Sequence, residues 1–378
     1  MIKKKILLTY ITQYSGHHKA SLAIKEALIK LGVNRDDVKD IDFLKYLHPA
    51  GRVIVEKSYF WMLKKNPQTW EYLYDNLDVL RRLEKWINWL GVWKSRKLVR
   101  LIEKLDPDII CCTQAFPALM LANLKQRGSL KMALTPIVGV LTDYAPHRYW
   151  VHPEINLYVV PSVKVGGILA KEGISDHRIR NFGIPIDPKF LIDRFNKEDV
   201  LKKLGLDGSL PIILVMGGSR GLGLIKEIVE ELEKSHFPLQ LVAICGRNKK
   251  LRKKLEKTTS SLGCPAKILG YAENINELMK ISSVIITKPG GLTISECLAC
   301  ELPMVLVNPV PGQEVFNARF LEDHGLAIVA PDEKGAAALA IRLLKDEQAR
   351  QQMRVRAKAA SRPDAALAIA NALIKGWD

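Results

Sequence analysis

Short apolar runs alternate with longer amphipathic stretches along nearly the whole chain, and few folds accept that pattern. Apolar runs of roughly four to eight residues read as strands buried on both faces, and the amphipathic stretches between them as crossover helices, which is the signature of βαβ units around parallel sheets. The strand-like runs are residues 6–12, 108–112, 135–141 and 157–160, then 211–216, 239–245, 284–287 and 304–307. Residues 19–31 and 222–234 carry helical periodicity. The stretch 185–208 interrupts the series with charge and turn residues, and 378 residues exceed what one core usually fills. The expectation is an α/β protein of two doubly wound, Rossmann-like domains, residues 1–195 and 196–378. They would face a cleft at the carboxyl ends of their strands, the last helix packing back on the first domain.

One segment breaks the alternation. Residues 52–100 read as a helical insert and hold five of the seven tryptophans, Trp61, Trp70, Trp86, Trp89 and Trp93, among eleven basic and five acidic residues. Trp86, Trp89 and Trp93 recur at helical spacing, which suits a core-facing surface. The joint density of Trp and Lys/Arg also suits a helix lying in a lipid interface. The formal charge is +17, and the first 195 residues hold 31 Lys/Arg against 19 Asp/Glu. Such an excess points to an anionic partner, nucleic acid or an anionic membrane surface, or else to a basic but otherwise ordinary enzyme.

No apolar run approaches the roughly 18 residues of a membrane span, so membrane contact is expected to be peripheral. The apolar start of the chain is too short for a signal sequence and reads as the first strand. Of six cysteines only Cys297 and Cys300 stand at a metal-ligand spacing, without a second pair, and they read as helix packing in a reducing compartment.

Three polar elements follow strands in the second half. Gly217-Gly218-Ser219-Arg220-Gly221 leads from a strand into a helix, where backbone N–H groups and the helix N-terminus favour a phosphate. A structural turn accounts for the same residues. Lys288-Pro289-Gly290-Gly291-Leu292-Thr293 repeats the arrangement, so a diphosphate could rest on the N–H groups of Gly291 to Thr293. Glu296, one turn into that helix, suits a ribose diol; Thr293 and Glu296 also read as a capping box. Residues 309–317 place Gln313, Glu314 and Asn317 at the same rim, able to bond sugar hydroxyls.

In this order the three elements resemble the nucleotide-sugar half of the GT-B glycosyltransferases. Lys288-Pro289-Gly290-Gly291, Pro311-Gly312-Gln313-Glu314 and Cys245-Gly246-Arg247-Asn248 are similar to one family 28-like group. That group holds the plant-type monogalactosyldiacylglycerol synthases and the bacterial processive diacylglycerol glucosyltransferases. Ser15-Gly16-His17-His18-Lys19-Ala20-Ser21 is similar to its glycine-histidine loop, and Thr142-Asp143 with His147, Trp150 and His152 to its acceptor-side motif.

The resemblance implies an inverting transfer of glucose or galactose from a UDP-sugar to diacylglycerol, giving a β-linked glycolipid. Gly291-Leu292-Thr293 is nearer the glucosyltransferases. It implies donor contacts from Gly217, Gly218, Ser219, Arg220, Arg247, Tyr271, Lys288, Gly290, Gly291, Leu292, Thr293, Glu296, Gln313 and Glu314. His17 is the implied general base, with Asp143 orienting it or acting as the base itself. Gly16, His147 and Trp150, with Trp61, Trp86, Trp89 and Trp93, fall on the acceptor and membrane side. The resemblance implies no metal or other cofactor. Attachment is expected at the cytoplasmic face of the cell membrane. Competing readings are a soluble UDP-sugar epimerase on the same fold, a GlcNAc transferase acting on a polyprenyl-linked lipid, and a nucleic-acid-binding protein suggested by charge alone.

Overall fold

The structure is a computed structural model that describes residues 2–47, 96–126, 128, 134–192, 195–218, 221, 225–259 and 264–377. The insert tryptophans Trp61, Trp70, Trp86, Trp89 and Trp93, together with Ser219 and Arg220, lie outside the described residues.

The chain divides into two compact units. One comprises Met1–Pro188, Val310–Gln313 and Asp364–Asp378, and the other Lys189–Pro309 and Glu314–Pro363. The first passage between them falls at Pro188, earlier than residue 195.

The first unit is built on β1 (Ile6–Tyr10), β2 (Val38–Asp42), β3 (Ile109–Cys112), β4 (Ile137–Val140), β5 (Leu157–Val159) and β6 (Ile179–Arg180). They form one parallel sheet in the order β2-β1-β3-β4-β5-β6. Register is set by pairs such as Leu7 with Ile110 and Ile110 with Ile137.

Period-two alternation sends successive residues to opposite faces, and both faces are covered. Leu7, Ile110, Cys112 and Ile137 enter one core with Leu121, Trp150 and Tyr158. Ile6, Leu8, Ile109, Cys111 and Val138 enter the other, beneath Ile24 and Leu28 of α1 (Gly16–Lys30). Ile369, Ala370 and Leu373 complete that second core, so the helix Ala365–Lys375 belongs to the first unit although the chain reaches it last.

The second unit has β7 (Ile212–Met216), β8 (Gln240–Ile244), β9 (Ala266–Leu269), β10 (Val284–Thr287), β11 (Met304–Leu306) and β12 (Ala327–Val329). Their order is β12-β11-β10-β7-β8-β9, again parallel throughout. In each sheet the strand order reverses once, between β1 and β3 in the first and between β7 and β10 in the second. Ligands of open parallel sheets settle at such reversals, beyond the carboxyl ends of the two strands.

Candidate active site

In the first unit the reversal point is where His17 stands. The expected glycine-histidine loop is in fact the first turn of α1, with Ser15 as its cap and Gly16, exposed, as its first residue. The side chain of His17 reaches the carboxyl ends of β3 and β4. Its Nδ1 lies 3.0 Å from the Thr113 carbonyl oxygen and 2.8 Å from the Thr142 hydroxyl. A carbonyl only accepts, so Nδ1 carries the proton and Nε2 is left as the basic nitrogen. The Thr113 hydroxyl in turn donates to the His17 carbonyl oxygen at 2.8 Å, tying the backbone to the same strand end.

Burial lowers the pKa of the His17 ring from 6.5 to about 4, with the Thr113 carbonyl acting in the opposite direction. His17 is therefore neutral near pH 7 and able to accept a proton.

Thr113 was not singled out in the sequence. It is the residue after β3 as Thr142 lies just past β4, and adjacent parallel strands bring such residues to one edge. Two of the acceptor-side residues lie inside the unit. His147 is buried and its side chain accepts the Tyr149 N–H at 3.1 Å, capping the short helical turn Arg148–Trp150. Trp150 is only 5% exposed and packs on β4 so closely that a Cβ at Gly139 would meet it at 2.9 Å. Both residues pack at the strand ends. Asp143 follows Thr142 and is half-buried.

In the second unit the reversal point carries both glycine turns. Gly217 and Gly218 follow β7, and Lys288-Pro289-Gly290-Gly291 follows β10. The Thr287 hydroxyl donates to the Met216 carbonyl at 3.0 Å and joins the two strand ends. Gly218 has φ 73°, and Gly221 φ 57°, where a Cβ would stand 2.1 Å from the Cys245 carbonyl oxygen. The turn closes through the Gly221 N–H on the Gly218 carbonyl.

The helix after β10 begins at Gly291, capped by Gly290 without a side-chain bond. Its first intrahelical bond runs from Ile294 N–H to the Gly290 carbonyl at 3.0 Å. The N–H groups of Gly291, Leu292 and Thr293 precede that bond and point out of the helix end, the arrangement that binds anions. This overturns the capping box, because Thr293 sits inside the helix. Glu296 accordingly lies in the second helical turn, half-buried.

The element after β11 also differs from its sequence reading. Asn317 is fully buried and donates to the Pro289 carbonyl at 3.0 Å, which fixes the glycine turn from behind and removes Asn317 from sugar contact. Gln313 opens the helix Gln313–Asp323, and Glu314 follows it. The ammonium of Lys288 stands 3.1 Å from each carboxylate oxygen of Glu314, with both side chains largely buried. Lys288 thus meets a carboxylate of its own chain. Tyr271, beyond β9, is exposed, and the Arg247 guanidinium beyond β8 lies 5.6 Å from its ring centre. Among the described residues no group of three His, Cys, Asp or Glu side chains stands close enough to hold a metal ion.

Comparisons with known proteins agree with both halves. Residues 17–186 match the family described as monogalactosyldiacylglycerol (MGDG) synthase. Residues 212–371 match the glycosyltransferase family 28 C-terminal domain. A processive diacylglycerol beta-glucosyltransferase of Bacillus cereus is 30% identical over 97% of this chain and 92% of its own. Another, from Bacillus thuringiensis (strain Al Hakam), is 30% identical over 99% and 95%.

Among solved structures, a UDP complex of the Staphylococcus aureus protein MnaA superposes with a TM-score of 0.63 at 17% identity, covering 98% of this chain and 96% of that one. The Acinetobacter baumannii MurG structure gives 0.61 at 15% identity, covering 98% and 99%. Those likenesses establish the fold, GT-B with two Rossmann-like domains. The likeness over full length establishes more: this chain belongs to the family of UDP-sugar-dependent glycosyltransferases that includes the processive diacylglycerol beta-glucosyltransferases, an MGDG-synthase-type domain followed by a family 28 C-terminal domain.

Proposed function

We propose that this glycosyltransferase moves a hexose, glucose in preference to galactose, from its UDP-sugar to diacylglycerol at a membrane surface, forming a β-linked glycolipid. The observation that carries the reading is the likeness, over nearly all of both chains, to enzymes named processive diacylglycerol beta-glucosyltransferase. In the chemistry that follows, the diacylglycerol hydroxyl oxygen attacks the anomeric carbon while His17 Nε2 takes its proton. The bond from that carbon to the diphosphate oxygen breaks, and UDP leaves with the electron pair. The Nδ1 tautomer held by Thr113 and Thr142 supports this assignment. A single displacement inverts the anomeric centre.

On this reading the leaving diphosphate rests against Gly217 and Gly218 and on the N–H groups of Gly291, Leu292 and Thr293. Donors fixed before the reaction stabilise developing charge without reorganising, so no metal ion is needed. Glu296 holds the ribose, Tyr271 and Arg247 the uracil end, and Gln313 with Glu314 the hexose. Ser219 and Arg220 belong to the same donor loop by sequence. Attachment is peripheral, at the cytoplasmic face of the membrane. The charge of +17 and the tryptophan and basic content of residues 52–100 favour it, and no described helix is long and apolar enough to cross a bilayer.

The test is a transfer assay on vesicles of diacylglycerol and phosphatidylglycerol, supplied in turn with UDP-glucose, UDP-galactose and UDP-GlcNAc, with and without a chelator. Glycolipid from UDP-glucose, insensitive to the chelator, is expected. His17→Ala is expected to lower the rate by about 10² to 10⁴, the usual worth of a positioned base. A free epimerised sugar as the product, or transfer from UDP-GlcNAc alone, would sink the proposal.

A further inference from the structure

We infer that His18 is a positioning residue, a latch that holds the strained turn at residues 11–15 and so presents His17; the inference rests on His17 being the base as proposed above. The turn is unusual for residues of its kind. Thr12 has φ 63° and Tyr14 φ 66°, so two side-chain-bearing residues, one of them β-branched, occupy the left-handed region within three positions. Backbone held there persists only where its surroundings over-determine it.

What holds this turn converges on His18. The Tyr14 N–H donates to His18 Nδ1 at 3.0 Å. The His18 ring lies 4.2 Å, centre to centre, from the Tyr10 ring at the end of β1, and the Tyr14 ring meets its edge at 6.1 Å. The His18 N–H donates to the Ser15 hydroxyl at 3.2 Å, and that hydroxyl donates to the Ile11 carbonyl at 2.9 Å. Asp42, at the end of β2, accepts the Thr12 N–H at 3.4 Å. His18 itself is buried.

Adjacent positions at the start of α1 thus divide the work. His17 faces Thr113 and Thr142, and His18 faces the turn that leads into the helix. The latch needs an acceptor at the Nδ1 position of residue 18. Without it the bond from the Tyr14 N–H to residue 18 is lost, the left-handed residues are free to relax, and the first turn of α1 no longer places the His17 ring in one orientation. Misplacement of a reacting group by about 1 Å costs on the order of 10² in rate.

Asparagine separates the latch from mere packing, because its amide oxygen stands where Nδ1 stands, whereas the glutamine oxygen stands nearer Nε2. The experiment takes the full chain as wild type, His18→Ala, His18→Asn and His18→Gln. It measures kcat and the UDP-glucose KM on diacylglycerol vesicles, and the His17 ring tautomer by long-range proton–nitrogen NMR. For His18→Ala, kcat is expected to fall about tenfold to a hundredfold with KM unchanged within about twofold, and the single Nδ1–H tautomer of His17 to be lost. His18→Asn is expected to restore both readouts and His18→Gln neither.

An alanine variant with full kcat and an unchanged tautomer overturns the latch, as do Asn and Gln variants that behave alike. Should His18→Ala not fold, the Asn and Gln pair decides. Absence of sugar transfer in the wild type would count against the proposed reaction alone, since the tautomer still reports on the latch.

Discussion

At neutral pH a histidine of ordinary pKa is already mostly unprotonated, so a ring lowered from 6.5 to about 4 shows its difference in acid. Below pH 6.5 the unfolded chain takes up a proton at His17 that the folded chain refuses. The neutral ring's contribution to stability is thus full above 6.5 and is lost as the pH falls toward about 4. The acid limb of kcat/KM should follow the folded value, staying flat through about pH 6; a limb centred near 6.5 would show that His17 does not titrate as a buried base.

Lys288 and Glu314 form the other coupled pair. Lys288→Met and Glu314→Gln should each raise the UDP-sugar KM, with a coupling of about 0.5 to 3 kcal/mol in the double-mutant cycle. Additive effects would mean the 3.1 Å pair does not organise the sugar contact. His17 stood out in the sequence because Ser15-Gly16-His17-His18 resembles the family's glycine-histidine loop after its first strand. Its partners did not, because a threonine after a strand looks like any turn residue until the register of β1, β3 and β4 brings them together. The burial of His147 and Trp150 was not legible either, since a resemblance to a motif says nothing of whether a side chain faces solvent or a neighbouring strand.

Eight strands were visible as apolar runs, and the four that were not, β2, β6, β9 and β12, are the edges of the two sheets. A central strand of a parallel sheet is buried on both faces and on both flanks, so its residues are uniformly apolar. An edge strand such as Val-Lys-Asp-Ile-Asp in β2 mixes buried apolar with exposed and half-buried charged residues and escapes a search for apolar runs. The helix after β10 is placed three residues late by its capping-box reading, Thr293 for Gly290, because Gly290 caps it with no side-chain bond.

Gly221 shows what the glycine turns demand. With φ 57° and a backbone oxygen 2.1 Å from the site of a Cβ, Gly221→Ala should cost more than about 3 kcal/mol, beyond the left-handed strain of 1 to 3 alone. Thermal unfolding in the presence and absence of UDP measures it. A variant as stable as wild type would mean the turn relaxes freely.

The first unit is assembled from distant parts of the chain, since the helix Ala365–Lys375 fills its core after the second unit has intervened. Ile369 and Leu373 are fully buried there. Burial of two such side chains is worth about 1.5 to 3 kcal/mol each, a large part of the 5 to 15 that keeps a domain folded. A chain ending at residue 363 should therefore lose amide-exchange protection in β1 and β3 while β7 and β10 keep theirs. Equal loss in both sheets would contradict a first unit that depends on this helix by itself. The two-domain plan could be read from 378 residues and the break in periodicity, and the return of the last helix to the first domain was expected with it, although the helix's apolar stripe by itself names no partner.

That return sets a clock on biosynthesis. A ribosome adding about 5 to 20 residues per second needs on the order of ten to forty seconds to pass from the end of the first sheet to residue 375. For that interval the face of β1 and β3 formed by Ile6, Leu8, Ile109 and Cys111 lacks its last cover. The nascent chain thus carries this apolar face without its last cover throughout translation of its second unit.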